Sequence, residues 1–171
     1  MNPEQDTKEL FERYSDMIYR IAVSYGNSAH SAEDIVQEVF LRYLKKQPWF
    51  ENNEHEKAWF IRVAINCCKS MLTSAWSRRI RPLEEADGFT IPFQTPEEHN
   101  LYEILTTLPA KYRIVLYLRY YEEYQVQEIA ALLGITPNLA SARLLRAKKL
   151  MKKKLLNSDE RLGFQDETGT I

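Results

Sequence analysis

The stretch from Gln125 to Lys154, QVQEIAALLGITPNLASARLLRAKKLMKKK, constrains the fold of this chain more than any other. Apolar residues at Val126, Ile129, Ala130 and Leu133 recur at helical steps, which marks one buried face of a short helix. Gly134 follows where a left-handed residue would end that helix. Ile135 can fill the space between two helices, and Thr136 offers an N-cap oxygen. Pro137 suits a first helical turn because its missing N–H would be unpaired there. A second helix is predicted from Pro137, with Leu139, Ala140, Leu144, Ala147 and Leu150 as its apolar positions. Its other face carries Asn138, Ser141, Arg143 and Arg146. The pattern is that of a helix-turn-helix.

Charge sharpens this reading. Between Thr136 and Lys154 stand seven basic residues, Arg143, Arg146, Lys148, Lys149, Lys152, Lys153 and Lys154, and no acidic one. Taking those seven positive charges from a formal net charge of −1 leaves −8 on the rest of the chain. A basic helix is thus mounted on an acidic body, an arrangement that binds DNA weakly alone and better when a larger partner holds it. An amphipathic helix of this kind fits the major groove, and its Lys and Arg flank neutralises phosphates. An ordinary helical hairpin with a solvated Lys face shares the outline, but the spacing of Ala130, Gly134 and Ile135 and the one-sided charge favour the DNA-binding form.

At 171 residues with 44% hydrophobic content, the chain can build one domain or two small ones around real cores. Cys67 and Cys68 are adjacent in a helical pattern, and His30, His55 and His99 are scattered. Neither a disulfide framework nor a zinc site has the necessary spacing, so buried reduced thiols and no metal are expected. No apolar run approaches the roughly 20 residues that span a bilayer, and MNPEQDTKE lacks a signal-peptide core, so a cytoplasmic protein without membrane insertion is expected. Glycine-rich phosphate loops, Gly-x-Ser-x-Gly elbows and paired catalytic acids are absent from the sequence, so neither an enzyme nor a cofactor is expected.

From the N-terminus, Leu10, Phe11, Tyr14, Met17, Ile18, Ile21, Ala22 and Tyr25 predict a helix capped by Asp6 or Thr7 and ended by Gly26 and Asn27. Ser31 with Asp34 reads as a near capping box. It opens a helix whose stripe is Ile35, Val36, Val39, Phe40, Tyr43 and Leu44, and which Gln47 and Pro48 break. The polar face of that helix presents Asp34, Gln37, Glu38 and Arg42. A polar loop holding Trp49 and Phe50 follows. The next helix runs from about Glu56 to Trp76, with Phe60, Ile61, Ala64, Ile65, Cys68, Met71 and Leu72 on one side and Trp59, Arg62, Asn66 and Lys69 on the other. An exposed aromatic, amide and cation suit single-stranded nucleic acid, although a core Trp59 and a surface Asn66 fit the pattern too.

Periodicity fails from Ser77 to Gln94, where Arg78, Arg79 and Arg81 cluster and Pro82 and Pro92 interrupt any element, so this segment reads as an interdomain linker. Thr95, Pro96, Glu97 and Glu98 start a helix continued by Leu101, Ile104, Leu105 and Leu108. Pro109 falls in the first turn of another, which buries Ile114, Val115 and Leu118 and carries Tyr112, Tyr117, Tyr120, Tyr121 and Tyr124. The residues after the helix-turn-helix form a polar, frayed tail. The fold class expected is all-α: two small helical domains joined by a linker, the C-terminal one with the helix-turn-helix.

AEDIVQEVFLRYL at 32–44 and AWFIRVAINCCKSML at 58–72 resemble domain two of bacterial RNA polymerase sigma factors, and 108–153 resembles domain four. The short form, with nothing but a linker between them, is similar to the extracytoplasmic-function (ECF) group. The resemblance implies domain two at 1–77, a linker at 78–94, domain four at 95–156 and a polar tail at 157–171. It implies partners as well: core RNA polymerase through its largest-subunit clamp helices and flap region, promoter DNA, and an anti-sigma factor. On that basis Asp34, Gln37, Glu38 and Arg42 would dock on polymerase. Phe50, Trp59, Asn66 and Lys69 would handle the −10 element, and Asn138, Ser141, Ala142, Arg143, Leu145 and Arg146 would read the −35 element. Polymerase itself would perform the chemistry.

The chain departs from the family at Leu139, Ala140, Ser141 and Ala142, where Thr, Val, a basic residue and Ser are common, so the −35 sequence does not carry over. Ser70 stands where an acidic residue is frequent. Two other readings use the same helix-turn-helix: a free-standing regulator that never joins polymerase, and an interaction module whose basic helix meets an acidic protein. The segment 32–72 separates them, because a free regulator has no use for it.

Overall fold

The computed structural model describes residues 3–26, 29–78 and 103–167, all in helices and short connections. The chain divides into two compact units, one built round the three N-terminal helices and one round the helices after residue 103.

The first unit consists of α1 (Pro3–Ser24), α2 (Ala29–Lys46) and α3 (Asn53–Arg78), each packed on the other two. Their stripes are those the periodicity predicts: Leu10, Tyr14, Met17, Ile18 and Ile21 meet Ile35, Val39 and Phe40, and both meet Phe60, Ile61, Ala64, Ile65 and Cys68. Phe60 is fully buried at the centre, its ring 4.7 Å from that of Tyr14, 5.4 Å from Phe40 and 5.6 Å from Tyr43. Burying such a ring contributes about 2 to 3 kcal/mol. Phe11, Leu44 and Leu72, read as stripe residues, lie instead at the margins and are exposed.

A polar tie binds α1 to α3. Glu56 Oε1 accepts from Tyr14 Oη at 2.8 Å and from Arg13 Nη1 at 2.9 Å. Burial, reinforced by the Glu56 carboxylate, pushes the Tyr14 hydroxyl up to about 12.

Helix ends follow local chemistry, not always where the sequence reading puts them. The α1 helix starts at Pro3, so Asp6 and Thr7 lie inside it rather than capping it. Ser31 likewise falls within α2. Gly26 at φ +92° and Gln47 at φ +41° mark the two C-terminal ends, and Lys45 and Lys46 suit the negative end of the α2 dipole. The α3 helix begins at Asn53, ahead of the expected Glu56, because Asn52 is its cap: Asn52 Oδ1 accepts from the His55 amide at 2.8 Å, while His55 Nδ1 accepts from the Glu51 amide at 3.2 Å. Glu54 and Glu56 complement the dipole there.

In the second unit, residues 103–106 are helical and lead through buried Leu108 to Pro109, which precedes α4 (Ala110–Leu116) as its N-cap instead of lying inside the first turn. The helix widens to a π-turn over Tyr117–Tyr121, which no sequence period announces, with the Glu122 amide reaching back to Tyr117 O at 3.2 Å. Then come α5 (Val126–Leu133) and the long α6 (Pro137–Glu167). The α4 helix packs along α6, and Tyr112, Val115 and Leu118 are buried with Ala140, Leu144 and Ala147. Lys154 Nζ donates to the Thr107 hydroxyl and fastens the far end of this packing.

The turn between α5 and α6 is built as its residues predict. The Ile135 amide donates to Ala130 O at 3.0 Å and the Gly134 amide to Ala131 O at 3.3 Å, with Gly134 at φ +66°. This pair of bonds is a Schellman end. Thr136 Oγ1 then accepts from the Leu139 amide at 3.2 Å, capping α6. Leu139, read as an apolar core position, is 41% exposed. Residues 157–167, read as tail, are helical. Arg78 ends α3 rather than starting the linker. The rest of that segment, 79–94, and the helix start at Thr95 to Leu101 lie outside the described residues.

Candidate nucleic-acid interface

On α2, spacing places Asp34, Gln37, Glu38 and Arg42 along the side away from the core; Glu38 is half-buried and the other three are exposed. Arg42 Nε donates to Glu38 Oε1 at 3.0 Å, an i,i+4 pair that also raises the Arg42 pKa. Both side chains are nearly half exposed, so the pair contributes at most about 1 kcal/mol. Its effect is to orient the guanidinium.

Arg42 also borders a cleft between α2 and α3. The cleft has a volume of about 490 Å³ and is lined by Arg42, Lys45 and Lys46 from α2 and by Trp59, Val63 and Asn66 from α3. Residues 59, 63 and 66 form one helical stripe, and 42, 45 and 46 another, so packing α2 on α3 sets an indole and an amide opposite three cations. Rings of Phe60 at 5.0 Å, Phe50 at 5.9 Å and Tyr43 at 6.1 Å, all edge-on, hold the Trp59 indole in place. A fixed ring, an amide and cations together can stack a base, pair with its edge and hold phosphate.

Two expected residues stand apart from this cleft. Phe50 is half-buried, with its ring against His55, Trp59 and Phe60, so it buttresses Trp59 and does not line the opening. Lys69 is exposed on α3, one turn beyond Asn66. The exposed ring of the loop is Trp49, at 79%. Sequence reasoning missed Lys45 and Lys46; the only signal was a basic pair at the end of a helix, where dipole complementarity explains it equally well.

In the second unit, Asn138, Ser141, Ala142, Leu145 and Arg146 are exposed on α6, and Arg143 is half-buried at its edge. Lys148 lies over the Tyr120 ring at 5.6 Å, and Tyr117 and Tyr121 stack at 5.1 Å. Burial pushes the Cys67 thiol up and the Cys68 thiol to about 12, which disfavours the nucleophilic thiolate of each. Among the described residues, no group of three or more His, Cys, Asp and Glu could hold a metal ion, and no helix is long and apolar enough to cross a membrane.

A three-helix unit with a basic cleft bordered by an indole, and a second unit that carries a helix-turn-helix, have the form of a two-module nucleic-acid-binding protein. Residues 10–78 match the family Sigma-70 region 2, and residues 98–151 match Sigma-70, region 4. The RNA polymerase sigma factor SigV of Bacillus subtilis is 31% identical over 169 residues, covering 93% of this chain and 99% of that protein. The ECF sigma factor SigW of the same organism is 27% identical, covering 86% and 87%. The fold is similar to that of the sigma factor RpoE solved in complex with the anti-sigma factor NepR from Bartonella quintana, with a TM-score of 0.69, 20% identity, and coverage of 88% of this chain and 97% of that one. CnrH, solved with the cytosolic domain of CnrY, gives a TM-score of 0.63 at 20% identity, covering 92% of each chain. The chain belongs to the ECF group of bacterial RNA polymerase sigma factors, regulators of transcription that recognise promoters through regions 2 and 4 and are not themselves catalysts.

Proposed function

We propose that this sigma factor docks on core RNA polymerase through Asp34, Gln37, Glu38 and Arg42, and captures the −10 non-template strand in the cleft between α2 and α3. In this reading α6 reads the −35 element through Asn138, Ser141, Ala142, Arg143, Leu145 and Arg146. The observation that carries strand capture is the cleft itself, whose lining of Arg42, Lys45, Lys46, Trp59, Val63 and Asn66 contains no acidic side chain. Taking a base out of the duplex costs a few kcal/mol, which stacking and hydrogen bonds in a pocket offset. Trp59 supplies the ring and Asn66 the edge contacts, while Lys45, Lys46 and Arg42 meet the flanking phosphates, with Lys69 one turn further along the same helix. Arg42 sits where the docking face and the cleft meet, so polymerase binding and strand capture share a side chain. An anti-sigma factor is a further partner, a reading supported by the related RpoE having been solved bound to one.

Photo-crosslinking from Lys45 and Val63 to promoter DNA in the polymerase complex tests the cleft. Crosslinks to the non-template strand of the −10 region are expected. Crosslinks confined to the double-stranded upstream region would overturn strand capture.

A further inference from the structure

The loop between α2 and α3 is fastened at both ends. At its start the Gln47 amide donates to Tyr43 O at 2.8 Å, with Gln47 at φ +41°, a region that a residue with a Cβ rarely occupies. Such a backbone persists only where its surroundings hold it. At its end the chain folds round His55. The His55 amide donates to Asn52 Oδ1 at 2.8 Å, and the Glu51 amide donates back to His55 Nδ1 at 3.2 Å. Between the two ends stand exposed Trp49 and half-buried Phe50, whose ring lies edge-on to the His55 imidazole at 5.6 Å and to the Trp59 indole at 5.9 Å. A row of rings thus runs from His55 through Phe50 to the indole that borders the cleft.

The fastening at His55 works in one protonation state. An Nδ1 that accepts a hydrogen bond carries no proton, so this imidazole is neutral with its hydrogen on Nε2. Protonation makes both ring nitrogens donors, and Nδ1 then faces the Glu51 N–H donor to donor. It also sets a positive charge in the first turn of α3, where the helix dipole favours the negative charges of Glu54 and Glu56. The other titratable side chains round this corner are Glu51 in the loop, Tyr43 on α2, and Arg13 and Tyr14 on α1, both of which bind Glu56. Side chains of these types keep their charge between about pH 5 and pH 8, the range in which histidine changes its own.

We propose that His55 is a positioning residue for the −10 strand: its neutral imidazole fastens the loop, the fastened loop holds Phe50 against Trp59, and acidification releases both. Promoter opening then falls as the pH drops through the range in which histidine takes up a proton. The proposal rests on the reading of the α2–α3 cleft as the strand-capture site, and adds a residue outside its lining that sets its shape and its response to pH.

Nuclear magnetic resonance of the full chain reads the loop. Permanganate footprinting with core polymerase, on a promoter recovered by run-off transcription with the unaltered protein, reads the opening. Both are followed from about pH 8 to about pH 5.5. The Glu51 amide and the Trp59 indole N–H should shift with the same midpoint as the His55 ring. Reactivity of unpaired −10 thymines should fall about fivefold over that range relative to His55→Gln, roughly the worth of one hydrogen bond. His55→Gln keeps an acceptor that does not titrate, so its Trp59 signal should stay fixed and its opening should follow only the pH dependence of polymerase itself. His55→Lys, a permanent donor and cation, should open at about pH 8 as poorly as the unaltered protein does at about pH 5.5. The His55 side chain is exposed, so both variants should fold. A Glu51 amide or Trp59 indole that ignores the His55 midpoint, or identical pH profiles of opening in the unaltered protein and His55→Gln, would overturn the proposal. Normal opening by Asn66→Ala would instead overturn the reading of the cleft beneath it.

Discussion

Gly134→Ala isolates the backbone cost of the turn on which the helix-turn-helix depends. Gly134 has φ +66°, and a Cβ placed on it would meet no atom within 4 Å, so steric clash adds nothing. A non-glycine residue held in the left-handed region costs roughly 1 to 2 kcal/mol. Alanine's smaller unfolded-state entropy returns about 0.4 to 1 kcal/mol of this. The net loss should be about 1 kcal/mol, close to a fivefold increase in the opening equilibrium. Hydrogen exchange read by mass spectrometry over residues 129–150 measures this in the full chain, and amides there should exchange about fivefold faster. Gly134→Asn should restore about half, since asparagine tolerates this region better. DNA affinity should change less than twofold, because the turn's bonds, Ile135 N to Ala130 O and Gly134 N to Ala131 O, use no side chain. A loss above about 3 kcal/mol, far outside the conformational cost, or no loss at all, would refute the argument.

Reversing charge at Asp34 and Glu38 together should weaken polymerase binding at least about tenfold by pull-down while changing stability by about 0.5 kcal/mol or less, since both lie on the surface side of α2. Asn66→Ala should leave stability and closed complexes nearly unchanged but lower permanganate reactivity of unpaired −10 thymines. Phe50→Ala should instead lose about 2 kcal/mol of stability, measured by urea unfolding, because its half-buried ring supports Trp59 and Phe60. Cys67 and Cys68 should resist iodoacetamide at pH 8 until the protein unfolds. Burial holds Cys68 neutral in the folded state up to about pH 12, against an ordinary value of 9.0. The stability this gives is complete below pH 9 and is lost as pH rises toward 12, so Cys68→Val should flatten part of the alkaline decline in melting temperature.

What the sequence disclosed and what it hid divide along a physical line. The apolar stripes of α1, α2 and α3 and the Gly134–Thr136–Pro137 turn were legible, because helical period and capping chemistry act over a few residues. The starts of the helices were less so: Ser31 has the side chain of a cap but lies within α2, and Asn52, an unremarked loop residue, caps α3. Tertiary features were hidden. Phe50 reads as a loop aromatic open to a base, yet the rings of His55, Trp59 and Phe60 draw it inward. Lys45 and Lys46 enter the cleft only because α2 packs on α3 at that point. The π-turn at Tyr117–Tyr121 has no period to betray it. For α6, the residue types were visible and the helical period orders them, but the exposure of Leu145 and the half-burial of Arg143 come from the packed structure.

Run-off transcription with purified core polymerase on fragmented host DNA, with and without this protein, tests the central claim most directly. New start sites that appear only with the protein, and that disappear with Asn66→Ala although polymerase still binds it, are the result expected of a sigma factor that opens promoters through the α2–α3 cleft. Transcription without any new start, from a protein that binds polymerase and DNA normally, would contradict it.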